Sequence, residues 1–106
     1  MLFSGLQPFL RPYAEELLRI AGPRAHLTSV RRSRRQQTLL WRRFLAGLSK
    51  YPAAPPGTSD HEKGLAFDIY SEDKGLLRYL GQIWESWGGV WGGRFGDDIH
   101  FAAPKR

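Results

Sequence analysis

Cysteine is absent from the 106 residues, which excludes disulfide scaffolds, thiolate zinc fingers and cysteine nucleophiles. Any metal site must therefore be built from His, Asp and Glu. Histidine occurs three times and methionine once, so an imidazole site has few candidate ligands. No run approaches the ~20 apolar residues of a membrane span, because Arg or Gly interrupts each greasy segment within a few positions. The opening MLFSGLQPFLRPYAEELL lacks a basic region leading into an unbroken apolar stretch and a small-residue cleavage site, so no secretory signal is readable. Acidic residues are scarce: 10 Asp and Glu stand against 16 Lys and Arg, a formal charge of +6 with a pI near 10.2. That balance attracts polyanions, whether nucleic acid, an anionic membrane or an anionic wall.

What is present is enough to fold. Hydrophobic residues make up 42% and aromatics 13% of the chain, which excludes disorder as a description of the whole. The length suits one domain over residues 1–106.

Phe9, Tyr13, Leu17 and Ile20 recur at helical spacing from Pro8 to Ile20, and Ala21-Gly22-Pro23 stops the pattern. Residues Ala25 to Val30 read as a strand. Ser33 can cap a second helix, Arg34 to Leu48, with Leu40, Trp41, Phe44, Leu45 and Leu48 on one stripe and Arg34, Arg35, Arg42 and Arg43 largely elsewhere. Lys50 to Ser59 holds Pro52, Pro55, Pro56 and Gly57 and predicts a stiff connector. Gly64 to Tyr70 reads as a strand with Leu65, Phe67 and Ile69 on one face and Ala66 and Asp68 on the other. A third helix, Ser71 to Trp87, precedes a glycine-rich stretch and a last strand, Ile99 to Ala102.

Two histidines keep unusual company. His61 lies in Thr58-Ser59-Asp60-His61-Glu62-Lys63-Gly64-Leu65-Ala66-Phe67-Asp68, and His100 in Asp97-Asp98-Ile99-His100-Phe101. Two imidazoles and a carboxylate, His61, Asp68 and His100, are the three-ligand set that leaves one zinc ion an open position for water. His61 comes off the stiff loop, Gly64 permits a tight reversal, and Asp68 returns on the strand. His100 completes the set if the last strand lies beside the first-ligand strand.

Ser59-x-His61-x-x-Gly64-x-Ala66-x-Asp68, followed by Trp91-Gly92-Gly93 and then Asp97-x-x-His100, resembles the signature of the LAS metallopeptidases. These include the VanY-like D-alanyl-D-alanine carboxypeptidases and the phage-endolysin L-alanyl-D-glutamate peptidases. Thr28-Ser29-Val30-Arg31-Arg32-Ser33 with Gln37 is similar to that family's Thr-Ser-Gly-Tyr-Arg-Ser-x-x-x-Gln element. The resemblance implies zinc held by His61, Asp68 and His100, with Asp97 as catalytic acid and base. It implies Arg32 as a catalytic and substrate-binding cation and Ser59 as a substrate contact or a support of the metal loop. It further implies an α+β fold, a small antiparallel sheet bearing the zinc site and packed with two or three helices, as in hedgehog and DD-peptidase domains. The implied activity is zinc-dependent hydrolysis of a peptide bond in peptidoglycan stem peptides, by a carboxypeptidase or an endopeptidase. A monomer is expected, made in the cytoplasm and acting on an anionic cell wall after phage-type release or another route of export.

Two departures leave alternatives open. Gly-Tyr of the family element is here Val30-Arg31, so Arg31 competes with Arg32. Asp97 and Asp98 are adjacent, and in a regular strand Asp98 would share a face with His100; choosing Asp97 presumes that Gly96-Asp97 is still loop. Two rival functions remain: a catalytically inert zinc-stabilised module, and a nucleic-acid binder using the six arginines of residues 31–43. His26 is read as a partly buried structural residue and Glu62 as a solvated loop charge. Trp41, Phe44, Trp84 and Trp87 are read mainly as core, while Trp91 and Phe95 stand between core and substrate groove.

Overall fold

The computed structural model describes residues 2–105. Helices α1 (Arg11–Ala21), α2 (Arg34–Leu45) and α3 (Lys74–Ser86) accompany strands β1 (His26–Ser29), β2 (Ala66–Tyr70), β3 (Val90–Trp91) and β4 (His100–Ala102). The strands form one sheet in the order β1-β2-β4-β3, antiparallel throughout. This is the expected α+β architecture.

Strand alternation divides the sheet into a core face and a site face. Phe67 on β2 lies opposite Phe101 on β4, and their rings stack with centroids 5.6 Å apart. Trp84 of α3 meets Phe67 edge-on at 5.2 Å, and its indole N–H donates to the Ala102 carbonyl at 2.7 Å. Asp73 caps α3 by accepting from the Leu76 amide at 3.0 Å, which fixes a helix that buries Leu77, Leu80 and Trp84. On the other face, Asp68 lies directly opposite His100, so their side chains share one side of the sheet. Across β2, Asp68 also faces Ser29, next to an irregularity between Leu27 and Ser29. Such a bulge re-aims the strand that carries it, and here the chain runs on from it past the site.

α1 buries Ala14, Leu17 and Ala21, continuing from buried Leu10, rather than the stripe expected from its larger residues. Phe9 and Tyr13 are exposed. The alanines allow close approach to α3, and Phe3 and Leu6 of the N-terminal segment fill the remaining space as fully buried core residues. Gly64 is required where that segment crosses: its φ is +71°, and a Cβ would stand 2.7 Å from the Gly5 carbonyl oxygen.

α2 begins as expected. Ser33 Oγ accepts from the Gln36 amide and the Gln36 side chain accepts from the Ser33 amide, a complete capping box. It ends at Leu45 instead of Leu48, and the expected buried stripe does not form: Gln37 is its one buried residue, Trp41 is half-buried and Phe44 is exposed. Trp87 is likewise exposed at its edge, leaving Trp84 as the helix tryptophan fully in the core. His26 is exposed rather than partly buried.

Candidate metal centre

β2, β4 and the turn after the proline loop bring three donor atoms together. His61 Nε2 lies 3.0 Å from Asp68 Oδ1 and 3.2 Å from His100 Nδ1, and the third side, His100 Nδ1 to Asp68 Oδ1, is 3.4 Å. A tetrahedral zinc ion with bonds near 2.0 Å spaces its ligands by about 3.3 Å, so the triangle already has the size of one face of such a site. Among the described residues, this is the group of His, Asp and Glu whose donor atoms converge closely enough to hold a metal ion.

The hydrogen bonds around the triangle aim lone pairs into it. His61 Nδ1 lies 2.7 Å from the Val30 carbonyl oxygen; a carbonyl only accepts, so Nδ1 carries the proton and Nε2 presents its lone pair inward. Asp68 Oδ2 accepts from Arg32 Nη2 at 2.7 Å. Asp68 Oδ1 is buried with no hydrogen-bond donor, which is costly for a carboxylate oxygen unless a cation meets it. These observations fit a divalent metal bound by two nitrogens and one oxygen. Burial pushes the Asp68 carboxyl up, but the imidazoles of His100 and His61, hydrogen-bonded to it when protonated, and the Arg32 charge outweigh burial and hold it well below the usual carboxylate range.

The triangle lies on the wall of a cleft of about 580 Å³. Asp97 lines this cleft, whereas Asp98 turns its carboxylate to Lys74 Nζ at 3.3 Å. The distinction comes from the backbone: Asp97 precedes β4 in a turn, where its amide donates to Gly92 and its carbonyl accepts from the His100 amide. Gly92 makes that turn possible, since a Cβ there would stand 2.4 Å from the Asp97 carbonyl oxygen. Burial raises the Asp97 carboxyl to about 6; the His100 and His61 charges oppose that rise, and Asp68 and Asp98 add to it.

Arg32, not Arg31, lines the cleft, and Arg31 is exposed. The Arg32 guanidinium donates to Ser29 Oγ at 3.0 Å, Gln37 Oε1 at 3.2 Å and Asp68 Oδ2 at 2.7 Å. With five N–H groups on a guanidinium, one on each Nη remains for another acceptor. Ser59 is buried, and its Oγ accepts from the His61 amide at 3.2 Å. Phe95 lines the cleft and is exposed, while Trp91 packs on the core and donates to the Asp98 carbonyl. Glu62 is not a solvated charge: its carboxylate accepts from the Gly57 amide and is 12% exposed. Sequence reasoning missed the Tyr51–Ala54 wall of the cleft and the role of Gln37, whose amide donates to the Ala54 carbonyl at 2.9 Å.

A family model described as VanY, D-alanyl-D-alanine carboxypeptidase, matches residues 13–89. The chain belongs to that family. The family is one of zinc peptidases that hydrolyse peptidoglycan. Its match includes His61 and Asp68 and stops before Asp97 and His100; the β2–β4 register sets His100 opposite Asp68, and the turn before β4 brings Asp97 to the same cleft. Among solved structures, the vancomycin-resistance D,D-pentapeptidase VanY of a VanB-type cassette, in complex with Zn(II), is similar with a TM-score of 0.69 at 18% identity, over 94% of this chain and 73% of that one. The D,D-dipeptidase VanXYg, in complex with a D-Ala-D-Ala phosphinate analogue, gives 0.70 at 16%, over 92% of this chain and 50% of that one. The Serratia marcescens L-Ala D-Glu endopeptidase ChiX gives 0.68 at 20%, over 95% and 82%. The chain thus spans half the length of one of these relatives and about three quarters or more of the other two. A comparison with curated protein sequences finds no match.

Proposed function

We propose that this protein is a zinc-dependent carboxypeptidase that removes the terminal D-Ala of peptidoglycan stem peptides, with His61, Asp68 and His100 as the zinc ligands. The observation that carries the reading is the triangle of His61 Nε2, Asp68 Oδ1 and His100 Nδ1 beside Asp97 in one cleft. Zinc bound there supplies Lewis acidity and acidifies water to a pKa of about 7. The Val30 carbonyl holds the His61 tautomer, and Arg32 orients Asp68 so that Oδ1 faces inward. Asp97, which lines the same cleft, accepts a proton from the attacking water and returns it to the departing amine nitrogen. The two spare N–H groups of Arg32 face negative charge as it develops on the carbonyl oxygen. Ser59 Oγ, which accepts from the His61 amide, still has its own proton to donate to substrate.

The same reading takes residues 1–106 as one peptidase domain acting as a monomer on the wall, outside the cytoplasm, where a charge of +6 complements anionic polymers. Carboxypeptidase and endopeptidase share this zinc chemistry and differ in product. Mass spectrometry of purified peptidoglycan treated with the zinc-loaded protein is expected to show release of D-Ala alone, abolished by chelator. New L-Ala and D-Glu termini would replace the carboxypeptidase reading with the endopeptidase one. No cleavage by protein holding one zinc would leave a metal-stabilised module.

A further inference from the structure

α2 takes almost no part in the core, since Gln37 is its one buried residue. Leu39 is 54% exposed, Leu45 64% and Leu48 79%. Leu39 and Leu48 share a surface depression with Arg42 and Arg43. Single exposed leucines are ordinary, but three in ten residues, set among cations, form a pattern. Charge is segregated to match: from Leu17 to Ser59 the chain contains no Asp or Glu, while Arg31, Arg34, Arg35, Arg42, Arg43 and Lys50 are all exposed. Among the described residues, Arg35, Arg42 and Arg43 enter no ion pair.

We infer that α2 and the turn through Leu48 dock the protein on an anionic lipid bilayer, with the leucines entering the headgroup layer and the arginines meeting lipid phosphates. No helix of the described residues is long and apolar enough to cross a membrane, so the helix lies on the surface, as basic amphipathic segments with exposed Leu and Trp do. Complementarity selects this occupant. A nucleic acid or a wall polyanion would use the arginines and give the leucines nothing to enter. A second copy of the chain would cover the leucines but set Arg42 and Arg43 against their own images, with no acid in the segment to relieve the repulsion. An anionic bilayer satisfies both residue types. Leu40 of the same helix lines the cleft, so docking places the cleft beside the lipid surface. Binding of this kind requires no peptide and goes beyond the peptidase reading.

Because the chain has no cysteine, Leu48→Cys carries a single environment-sensitive fluorophore. Cosedimentation with vesicles of phosphatidylcholine plus phosphatidylglycerol, and with vesicles of phosphatidylcholine alone, measures binding. The expected result is binding to the mixed vesicles only, with a blue shift of the label. The pair Arg42→Ser and Arg43→Ser is expected to weaken it roughly 30-fold, and the pair Leu45→Ser and Leu48→Ser about 10-fold or more. These side chains are exposed, so circular dichroism should show both variants folded. Failure to bind the mixed vesicles overturns the inference. So does binding without a label shift that a soluble polyanion such as duplex DNA competes away, which marks a polyelectrolyte site. Self-association in the absence of lipid, lost in the leucine pair variant, overturns it in favour of a dimer face.

Discussion

Arg32 Nη2 donates to Asp68 Oδ2 at 2.7 Å, on the opposite side of the carboxylate from the oxygen that meets His61. The pair commits one carboxylate oxygen and leaves the other facing the two imidazoles. Replacing Arg32 by Ala removes this restraint and is expected to weaken zinc binding by about 10- to 100-fold. Titration against a competing chromophoric chelator measures it. Unchanged affinity with lowered activity would assign Arg32 to substrate alone.

Asp97 and Asp98 offer a test that separates the proposed proton transfer by Asp97 from the effect of charge in general. Asp97→Asn is expected to keep the fold and one zinc while lowering kcat by roughly 100- to 10,000-fold. Asp98→Asn removes only the pairing with Lys74 and is expected to stay near wild type. His61→Ala is expected to emerge from gel filtration without zinc. The reverse ranking of the two aspartates in stopped assays would move the base to Asp98.

The pH dependence of the metal-free protein has a definite sign. Asp97 has its folded-state carboxyl raised from 3.8 to about 6, so the folded state binds that proton more tightly than the unfolded chain. Its contribution to stability is full below about pH 4 and is lost as pH rises through about 6. Asp68, held low, acts the other way and in a lower window: its contribution is present above the unfolded value and falls away in stronger acid. Urea unfolding between pH 4 and 6.5 is expected to show Asp97→Asn removing a decline in stability that the wild type has. Parallel profiles for the two proteins would contradict it.

Gln37 links the reaction side of the cleft to its proline-rich wall, donating to Ala54 and accepting from Arg32. Gln37→Leu leaves both partners short and is expected to cost about 1–3 kcal/mol in urea unfolding. It is also expected to raise KM, because the Tyr51–Ala54 wall loses its tie. A stability loss with unchanged KM would make Gln37 purely structural.

The convergence of His61, Asp68 and His100 was legible in the sequence because two imidazoles and a carboxylate are chemically distinctive and their spacing bounds the geometry. The sheet that joins them was legible because Phe67/Asp68 and His100/Phe101 alternate between core and site. The buried faces of the helices were less so. In α1 the helical period was right, but the small residues Ala14 and Ala21 are buried where Phe9 and Tyr13 are not. In α2 a stripe of Leu40, Trp41, Phe44, Leu45 and Leu48 predicts burial without saying against what, and the structure leaves most of it in solvent. Gln37 is not legible as a buried link because burial of a polar side chain depends on partners, Ala54 and Arg32, that local pattern does not announce. The cleft wall at Tyr51–Ala54 has no periodic signal at all.

The most direct test is a zinc titration of chelator-stripped protein, reading release of D-Ala from a synthetic stem pentapeptide at each addition. Activity is expected to rise linearly to one equivalent of zinc and then level off, with His61→Ala flat throughout. Full activity in the stripped protein, or an equal rise in His61→Ala, would contradict a zinc centre built from His61, Asp68 and His100.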